Sequence, residues 1–135
     1  MKYFICALNM VNLGFPAEQT ERIIPVNRVQ TNIMEYENQE FFISIPALFG
    51  QNEISVPHGI VLKAGTPKTV LLTPKIDIDL EIPEEKIHEL PKSFSGVFSF
   101  CKGVCFAENK NESSADNGNI ILILNPMKLR EAYYD

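Results

Sequence analysis

The chain has 135 residues, a formal charge of -5, three cysteines and no tryptophan, and 45% of its residues are hydrophobic. This length fits one domain with a buried core, which we place over residues 1–135, and the composition excludes a disordered chain. The acidic balance argues against a protein that binds nucleic-acid phosphates or a membrane surface through basic residues. No apolar run approaches the length of a spanning helix, so we expect no direct membrane insertion.

The amino-terminal segment predicts a strand rather than a signal peptide. Residues 3–8 are apolar, but Asn9 and Asn12 interrupt the apolar region and no small-residue cleavage site follows. Three cysteines is an odd number for a disulfide scaffold, and a chain of this size does not need covalent cross-links. We therefore expect reduced thiols and a cytoplasmic protein.

Hydrophobicity with a period of two predicts a mostly β fold. The clearest example is residues 76–82, where isoleucine or leucine alternates with aspartate or glutamate, which indicates a strand with one buried face. Turns are predicted at residues 12–14, 37–39, 65–68 and 108–118. The other predicted strands, in chain order, cover residues 2–9, 28–36, 41–45, 59–64, 69–73, 97–106 and 119–124.

Helical signals are few and short. Residues 16–23 predict a short helical turn ahead of Pro25, and residues 83–87 have a proline and acids where the first turn of a helix favours them. The strongest signal is at the end of the chain, where Asn125 can cap a helix that has Pro126 at its first position. The pattern as a whole predicts one all-β domain, a barrel or a sandwich, with two or three short helices.

The cysteines and histidines predict no metal site. Cys101 and Cys105 are four residues apart in a predicted strand, so their Cα atoms would lie roughly 13 Å apart, too far for a disulfide or a shared zinc ion. His58 and His88 have no ligand-like spacing to these thiols. Buried structural cysteines are the favoured interpretation, and no cofactor is predicted.

An acidic stripe, residues 77–89, has six acids and one lysine, so its net charge equals the -5 of the whole chain. A calcium loop needs glycine at its sixth position and glutamate at its twelfth, and these positions are Ile82 and His88. A solvated sheet face is the favoured interpretation of the stripe. An acidic contact face for a basic partner is the alternative.

Two features of the carboxy-terminal half predict backbone geometry rather than chemistry. Gly103 interrupts the predicted strand 97–106, which is typical of a bulge, a barrel corner or a close approach of another backbone. Residues 120–124 are five consecutive apolar residues and predict a strand buried on both faces.

No motif predicts catalysis. A nucleophile elbow, a dinucleotide glycine fingerprint and a phosphate loop are all missing from the sequence. We therefore predict that the protein is not an enzyme and has no catalytic residues. A small hydrolase or metal-dependent enzyme is a third hypothesis, and it requires His58 or His88 to meet carboxylates or cysteines in a cleft.

The residues resemble a CheW-like domain, the coupling-protein family of bacterial chemotaxis. The resemblance includes the strand around Gly103, Phe-Cys-Lys-Gly-Val, and the closing segment 121–129, Ile-Leu-Ile-Leu-Asn-Pro-Met-Lys-Leu. It implies two intertwined five-stranded SH3-like β-barrels with short helices, including a carboxy-terminal one, in a single CheW-like domain. The other matching segments are residues 3–8, 14–25, 42–50, 69–73, 76–82 and 84–91.

The resemblance also implies a function. It implies a non-enzymatic adaptor that couples the cytoplasmic tip of a chemoreceptor to the regulatory domain of a histidine kinase. By position, Thr20, Ile23 and Ile24 match a segment that borders the receptor groove in the family, although packing of a short helix between the barrels is an equal alternative for them.

One departure from the family pattern leads to a second hypothesis. The family's asparagine-leucine-arginine-glycine segment is missing, and residues 37–40, Glu-Asn-Gln-Glu, predict a plain tight turn in its place. Because that segment helps to form the partner surfaces of the family, the alternative is a divergent CheW-like interaction module that has lost receptor coupling.

Overall fold

The computed structural model describes residues 1–8, 11–26, 29–30, 32–51, 54–65, 67–76, 78–90, 99–106 and 120–133. Helical elements in the described residues include the 3₁₀ turns Ala17–Gln19 and Glu84–Lys86 and the α-helices α1 (Ile45–Leu48) and α2 (Pro126–Tyr133). The strands are β1 (Lys2–Leu8), β2 (Val11–Pro16), β3 (Thr20–Pro25), β4 (Val29–Gln30), β5 (Met34–Glu37), β6 (Glu40–Ser44), β7 (Ile54–Ser55), β8 (His58–Leu62), β9 (Lys68–Thr73), β10 (Ile78–Glu81), β11 (Ile87–His88), β12 (Cys101–Phe106) and β13 (Ile120–Leu124).

The chain forms two compact units, and each is built from two separate segments. The first unit consists of Met1–Ala17 and Asp77–Asn125, and the second of Glu18–Ile76 and Pro126–Asp135. The chain therefore passes from one unit to the other three times. In the described residues, no helix is long and apolar enough to cross a membrane.

The first unit contains a six-stranded sheet with the strand order β10-β1-β2-β13-β12-β11. Neighbouring strands are antiparallel except β13 and β2, which are parallel. Side chains from four of the strands or their ends bury one another in a single core, against which Leu80 and Ile87 also pack. The buried members of this core are Tyr3, Ile5, Ile82, Cys105, Ile121 and Ile123.

The alternation predicted for residues 76–82 is confirmed where the structure describes it. Asp79 and Glu81 are exposed, Leu80 is half-buried and Ile82 is 2% exposed. The strand proper is β10, and Asp77 lies outside the described residues. The Ile82 N–H continues the pairing by donating to the Met1 carbonyl oxygen at 2.9 Å.

The predicted turn at residues 12–14 is wrong, because this segment belongs to β2. Gly14 lies between its antiparallel neighbour β1 and its parallel neighbour β13. A Cβ atom at Gly14 would lie 2.9 Å from Cδ1 of Ile123 and 3.3 Å from Cγ2 of Ile121. The glycine therefore serves a close approach inside the sheet rather than a chain reversal.

Gly103 occupies a bulge and also a close approach, two of the geometries that its position predicts. The register of β12 against β13 shifts between Cys101 and Gly103. A Cβ atom at Gly103 would lie 2.5 Å from the carbonyl oxygen of His88. The following strand is buried as predicted at residues 121–124, whereas Ile120 is 43% exposed.

The second unit contains a five-stranded sheet with the order β3-β8-β9-β6-β5 and a separate pair, β4-β7. In the larger sheet β6 and β9 are parallel, and the other neighbours are antiparallel. Ile24 and Val26 pack against a buried cluster formed by Phe42, Val56, Val61, Val70 and Leu72. The parallel pair brings β6 and β9 together although they are far apart in sequence.

Three sequence predictions in this unit need correction. The predicted strand 28–36 is two strands, β4 and β5, which belong to different sheets. The predicted strand 41–45 ends at Ser44, whose Oγ accepts the Ala47 N–H at 3.4 Å and caps α1. The helical turn predicted for residues 16–23 ends at Gln19, and the rest of that segment is β3, since it pairs with β8.

The predicted carboxy-terminal helix is confirmed as α2, which begins at Pro126. Within the second unit, Arg130 holds α2 against β9: its Nε donates to Thr69 Oγ1 at 2.8 Å and its Nη2 to the Pro67 carbonyl oxygen at 3.4 Å. Gly65, at φ +105°, lies so close to this side chain that an added Cβ atom would be 2.6 Å from Arg130 Nε. The helical turn predicted at residues 83–87 is also confirmed, as Glu84–Lys86.

Candidate partner-binding surface

Thr20, Ile23 and Ile24 lie on β3, at one edge of the five-stranded sheet of the second unit. β-branched side chains favour an extended backbone, and proline at the end of an edge strand removes no needed ladder bond. β3 pairs with β8 on one side, and no strand of the described residues pairs with its other side. An edge of this kind offers backbone N–H and C=O groups to a partner.

The three side chains differ in burial and therefore in what they can contact. Thr20 is 9% exposed, whereas Ile23 is 39% exposed. Ile24 is half-buried and covers Gly59 of β8, where a Cβ atom would lie 3.2 Å from its Cγ1. Thr20 and Ile24 thus hold the strand in place, and Ile23 presents apolar surface.

An ion pair flanks this apolar surface. Lys68 Nζ donates to Glu21 Oε1 at 2.6 Å and to the Lys63 carbonyl oxygen at 3.2 Å, and Arg22 Nη1 lies 4.0 Å from Glu21 Oε2. The hydrogen bond from Lys68 lowers the pKa of the Glu21 carboxyl from its usual value. The edge therefore carries fixed charges of both signs next to Ile23.

A cavity of about 220 Å³ lies beside the start of β3. Its lining is Glu18, Gln19, Lys63, Ala64 and Met127. The Gln19 carbonyl oxygen accepts the Lys63 N–H at 2.9 Å, while Gln19 Oε1 is buried and accepts no hydrogen bond from the described residues. This volume is below the usual range for small-molecule sites, about 300–1,000 Å³, and suits a single side chain.

The tight turn predicted at residues 37–40 is the turn between β5 and β6. Glu37 pairs with Glu40, and the two residues between them, Asn38 and Gln39, have φ values of 53° and 64°. Two positive φ values in a two-residue loop define a type I′ turn. The predicted tight turn is therefore confirmed, and its two central residues carry amide side chains.

The sequence reasoning missed an exposed apolar surface on β5. Met34 is 39% exposed and Tyr36 56% exposed, and Ile33, just before the strand, is 36% exposed. The signal that could have found it is the alternation Met-Glu-Tyr-Glu, which puts both large apolar side chains on one face.

Cations on neighbouring elements pair with part of the acidic stripe. Asp79 Oδ2 lies 3.4 Å from Lys2 Nζ, Glu81 Oε1 lies 2.7 Å from the terminal amine, and Glu84 Oε1 lies 2.8 Å from Lys102 Nζ. These groups are exposed, so each pair is weak. The pairing favours the solvated sheet face over an acidic contact face.

None of the three cysteines forms a disulfide, and both histidines lie on strands, His58 on β8 and His88 on β11. Burial raises the pKa of Cys101 to about 11 and also raises that of Cys105. The ring of His88 lies 6.0 Å from that of Phe106, and His58 pairs with Thr73 in the second-unit sheet. Across the described part of the chain, no group of three or more His, Cys, Asp or Glu residues could hold a metal ion.

Comparison with solved structures identifies the fold. The scaffolding protein CheW from Thermoanaerobacter tengcongensis matches with a TM-score of 0.67 and 12% sequence identity, over 91% of this chain and 82% of that chain. No protein-family model matches the sequence, and no curated protein matches it. The chain therefore has a divergent CheW-like fold, and the predicted fold, mostly β with short helices including a carboxy-terminal one, is confirmed.

Proposed function

We propose that the protein is a non-enzymatic, cytoplasmic scaffold of bacterial chemotaxis. In this role it joins the cytoplasmic tip of a chemoreceptor to the regulatory domain of a histidine kinase and uses no cofactor. The observation that carries the proposal is the fold that the chain shares with a CheW scaffolding protein over 91% of its length. The length of that match also supports a single CheW-like domain over residues 1–135.

The edge strand β3 is the surface that we assign to the receptor tip. Ile23 supplies exposed apolar area, and Thr20 and Ile24 fix the strand that carries it. Apolar side chains held on a rigid sheet dominate the energetics of protein interfaces, because little entropy is lost when they are buried. The Glu21–Lys68 pair at the same edge supplies polar contacts at the rim.

The test is binding to each partner separately, with the receptor tip and the kinase regulatory domain taken from the same organism. We expect the wild-type protein to bind both. Ile23→Asp introduces a charge at the centre of the assigned surface, and we expect affinity for the receptor tip to fall by about tenfold or more. Titration calorimetry with purified components measures both affinities.

Ile120→Asp is the matched control, since Ile120 is similarly exposed, at 43%, and lies on β13 in the other unit. We expect this variant to bind the receptor tip as the wild type does. Failure of the wild-type protein to bind either partner would contradict the scaffold proposal. Equal losses in the two variants would contradict the assignment of β3.

The second candidate is a CheW-like interaction module that has lost receptor coupling. The type I′ turn at Asn38 and Gln39 favours it, because the family's arginine-glycine segment is missing there. The same titrations separate the two candidates: a module of this kind does not bind the receptor tip, with or without Ile23→Asp, while its fold is intact.

A further inference from the structure

The second edge of the five-stranded sheet, β5, has its outward backbone groups in a defined register. The Ser44 N–H donates to the Ile33 carbonyl oxygen at 2.8 Å, and hydrogen-bonded pairs alternate along an antiparallel ladder. Glu35 and Glu37 therefore bond to β6, while the backbone N–H and C=O groups of Met34 and Tyr36 point away from it. Within the described residues, no strand pairs with that side.

The side chains of the same two residues extend an apolar face. Met34 stands opposite Ile43 and Tyr36 opposite Phe41, and both partners are buried. Met34 and Tyr36 themselves are 39% and 56% exposed. An added strand would cover them with its own apolar side chains at alternate positions, because residues directly opposite share a face.

The other face of β5 carries two carboxylate side chains. Glu35 and Glu37 alternate with Met34 and Tyr36 along the strand, and Glu40 of β6 stands opposite Glu37. An added strand would place the side chains between its apolar positions beside these two carboxylates. Opposite charges stabilise cross-strand neighbours and like charges destabilise them, so basic side chains fit these positions.

We propose that β5 binds an extended segment of a partner protein, in which apolar and basic residues alternate, as an additional strand of the sheet. A second copy of this chain fits less well, because two β5 strands would bring glutamates together. The site lies at the opposite edge of the sheet from β3, so it goes beyond the proposed function. The two assignments can fail independently.

The probe is a synthetic octapeptide of four Lys-Val repeats, added to the full chain labelled with ¹⁵N. We expect saturable binding that slows hydrogen exchange at the backbone amides of Met34 and Tyr36. Peptides with glutamate in place of lysine, or with N-methylated amides, should not bind. The first lacks the complementary charge and the second cannot donate to the ladder.

Glu35→Gln/Glu37→Gln tests the charge contribution, and Glu85→Gln/Glu89→Gln in the acidic stripe is the control with the same change in net charge. We expect the first pair to raise Kd by about fivefold and the second to leave it nearly unchanged. Equal effects of the two pairs would overturn the proposal. Unchanged hydrogen exchange at the amides of Met34 and Tyr36 in the presence of the peptide would also overturn it. Binding of the N-methylated peptide would overturn it too, as would protection of these amides by self-association of the protein without peptide.

Discussion

Gly103 lies in β12 where the strand passes the backbone of β11. A Cβ atom there would meet the carbonyl oxygen of His88 at 2.5 Å and Cγ2 of Ile87 at 2.7 Å. Because the nearest neighbour is backbone, the contact cannot be relieved by a side-chain rotation. We predict that Gly103→Ala lowers the free energy of unfolding by about 2–3 kcal/mol, as measured by urea denaturation.

Gly50→Ala is the control for this prediction. Gly50 has a φ of +75°, and an added Cβ atom would have nothing within 4 Å, so only the backbone conformation is strained. The expected loss is about 1 kcal/mol. If Gly103→Ala costs no more than Gly50→Ala, the close approach of β12 to β11 is not present in the protein.

The Cys101 thiol should make the free energy of unfolding depend on pH in the alkaline range. Burial raises its pKa from 9.0 to about 11, so the folded state favours the protonated thiol. That stabilisation is fully present below pH 9 and is lost as the pH rises through 11. Since the side chain is partly exposed, solvent screening limits the effect to about 1 kcal/mol.

We therefore predict that the free energy of unfolding falls more steeply between pH 9 and 11 in the wild type than in Cys101→Ala. Urea denaturation at several pH values measures both profiles, and the difference between the two profiles reports on Cys101. Parallel profiles would show that burial of Cys101 does not disfavour its thiolate.

At the scale of elements, the turn between β5 and β6 is held in a conformation that suits glycine better than glutamine. Gln39 has a φ of 64° at the second position of the type I′ turn. Gln39→Gly removes the left-handed strain, about 1–2 kcal/mol, at a smaller cost in backbone entropy. We predict that thermal unfolding shows a net gain of about 0.5–1 kcal/mol.

Gln39→Ala keeps a Cβ atom at the same φ and serves as the control, with no gain expected. A loss of stability in Gln39→Gly would mean that the glutamine side chain makes a contact that outweighs the strain of its backbone. The hairpin would then be held by that side chain rather than by turn geometry.

Local patterns predicted the elements whose neighbours do not alter them. The alternation around Leu80 and Ile82 identified β10, and Asn125-Pro126 marked the start of α2. Local patterns did not predict β2, because glycine at position 14 is typical of a turn unless the parallel strand β13 is known to lie beside it. α1 was not predicted either, because the apolar run from Phe41 conceals the cap at Ser44.

The candidate site was only partly accessible to sequence reasoning for the same physical reason. The resemblance identified the segment that contains Ile23 as a candidate binding segment, but it did not predict that this segment is a strand. The exposed surface at Met34 and Tyr36 was not predicted, because only the order of strands in the sheet shows that β5 is an edge strand. That order depends on the long-range parallel pairing of β6 with β9, which hydrophobicity along the chain does not encode.

At the scale of the whole molecule, each unit needs both of its chain segments. Neither Met1–Ala17 with Asp77–Asn125 nor Glu18–Ile76 with Pro126–Asp135 is continuous in sequence. On the proposal that residues 1–135 form one domain, we predict a single unfolding transition. Far-ultraviolet circular dichroism and tyrosine fluorescence should give coincident urea curves.

Substitutions in the two units test this prediction. Gly103→Ala affects the first unit, and Leu71→Ala, at a fully buried position, affects the second with an expected loss of about 2–5 kcal/mol. Both should shift the same transition. Two transitions, each moved by only one substitution, would show that the units unfold independently.

The scaffold proposal requires that the protein joins two partners at once. The direct measurement is recovery of the kinase regulatory domain on beads that carry the receptor tip, with and without this protein, all from one organism. We predict that recovery depends on the protein, rises with its concentration and falls with Ile23→Asp but not with Ile120→Asp. Two results would contradict the scaffold proposal. One is equal recovery of the kinase domain with and without the protein, and the other is no recovery when the protein is present.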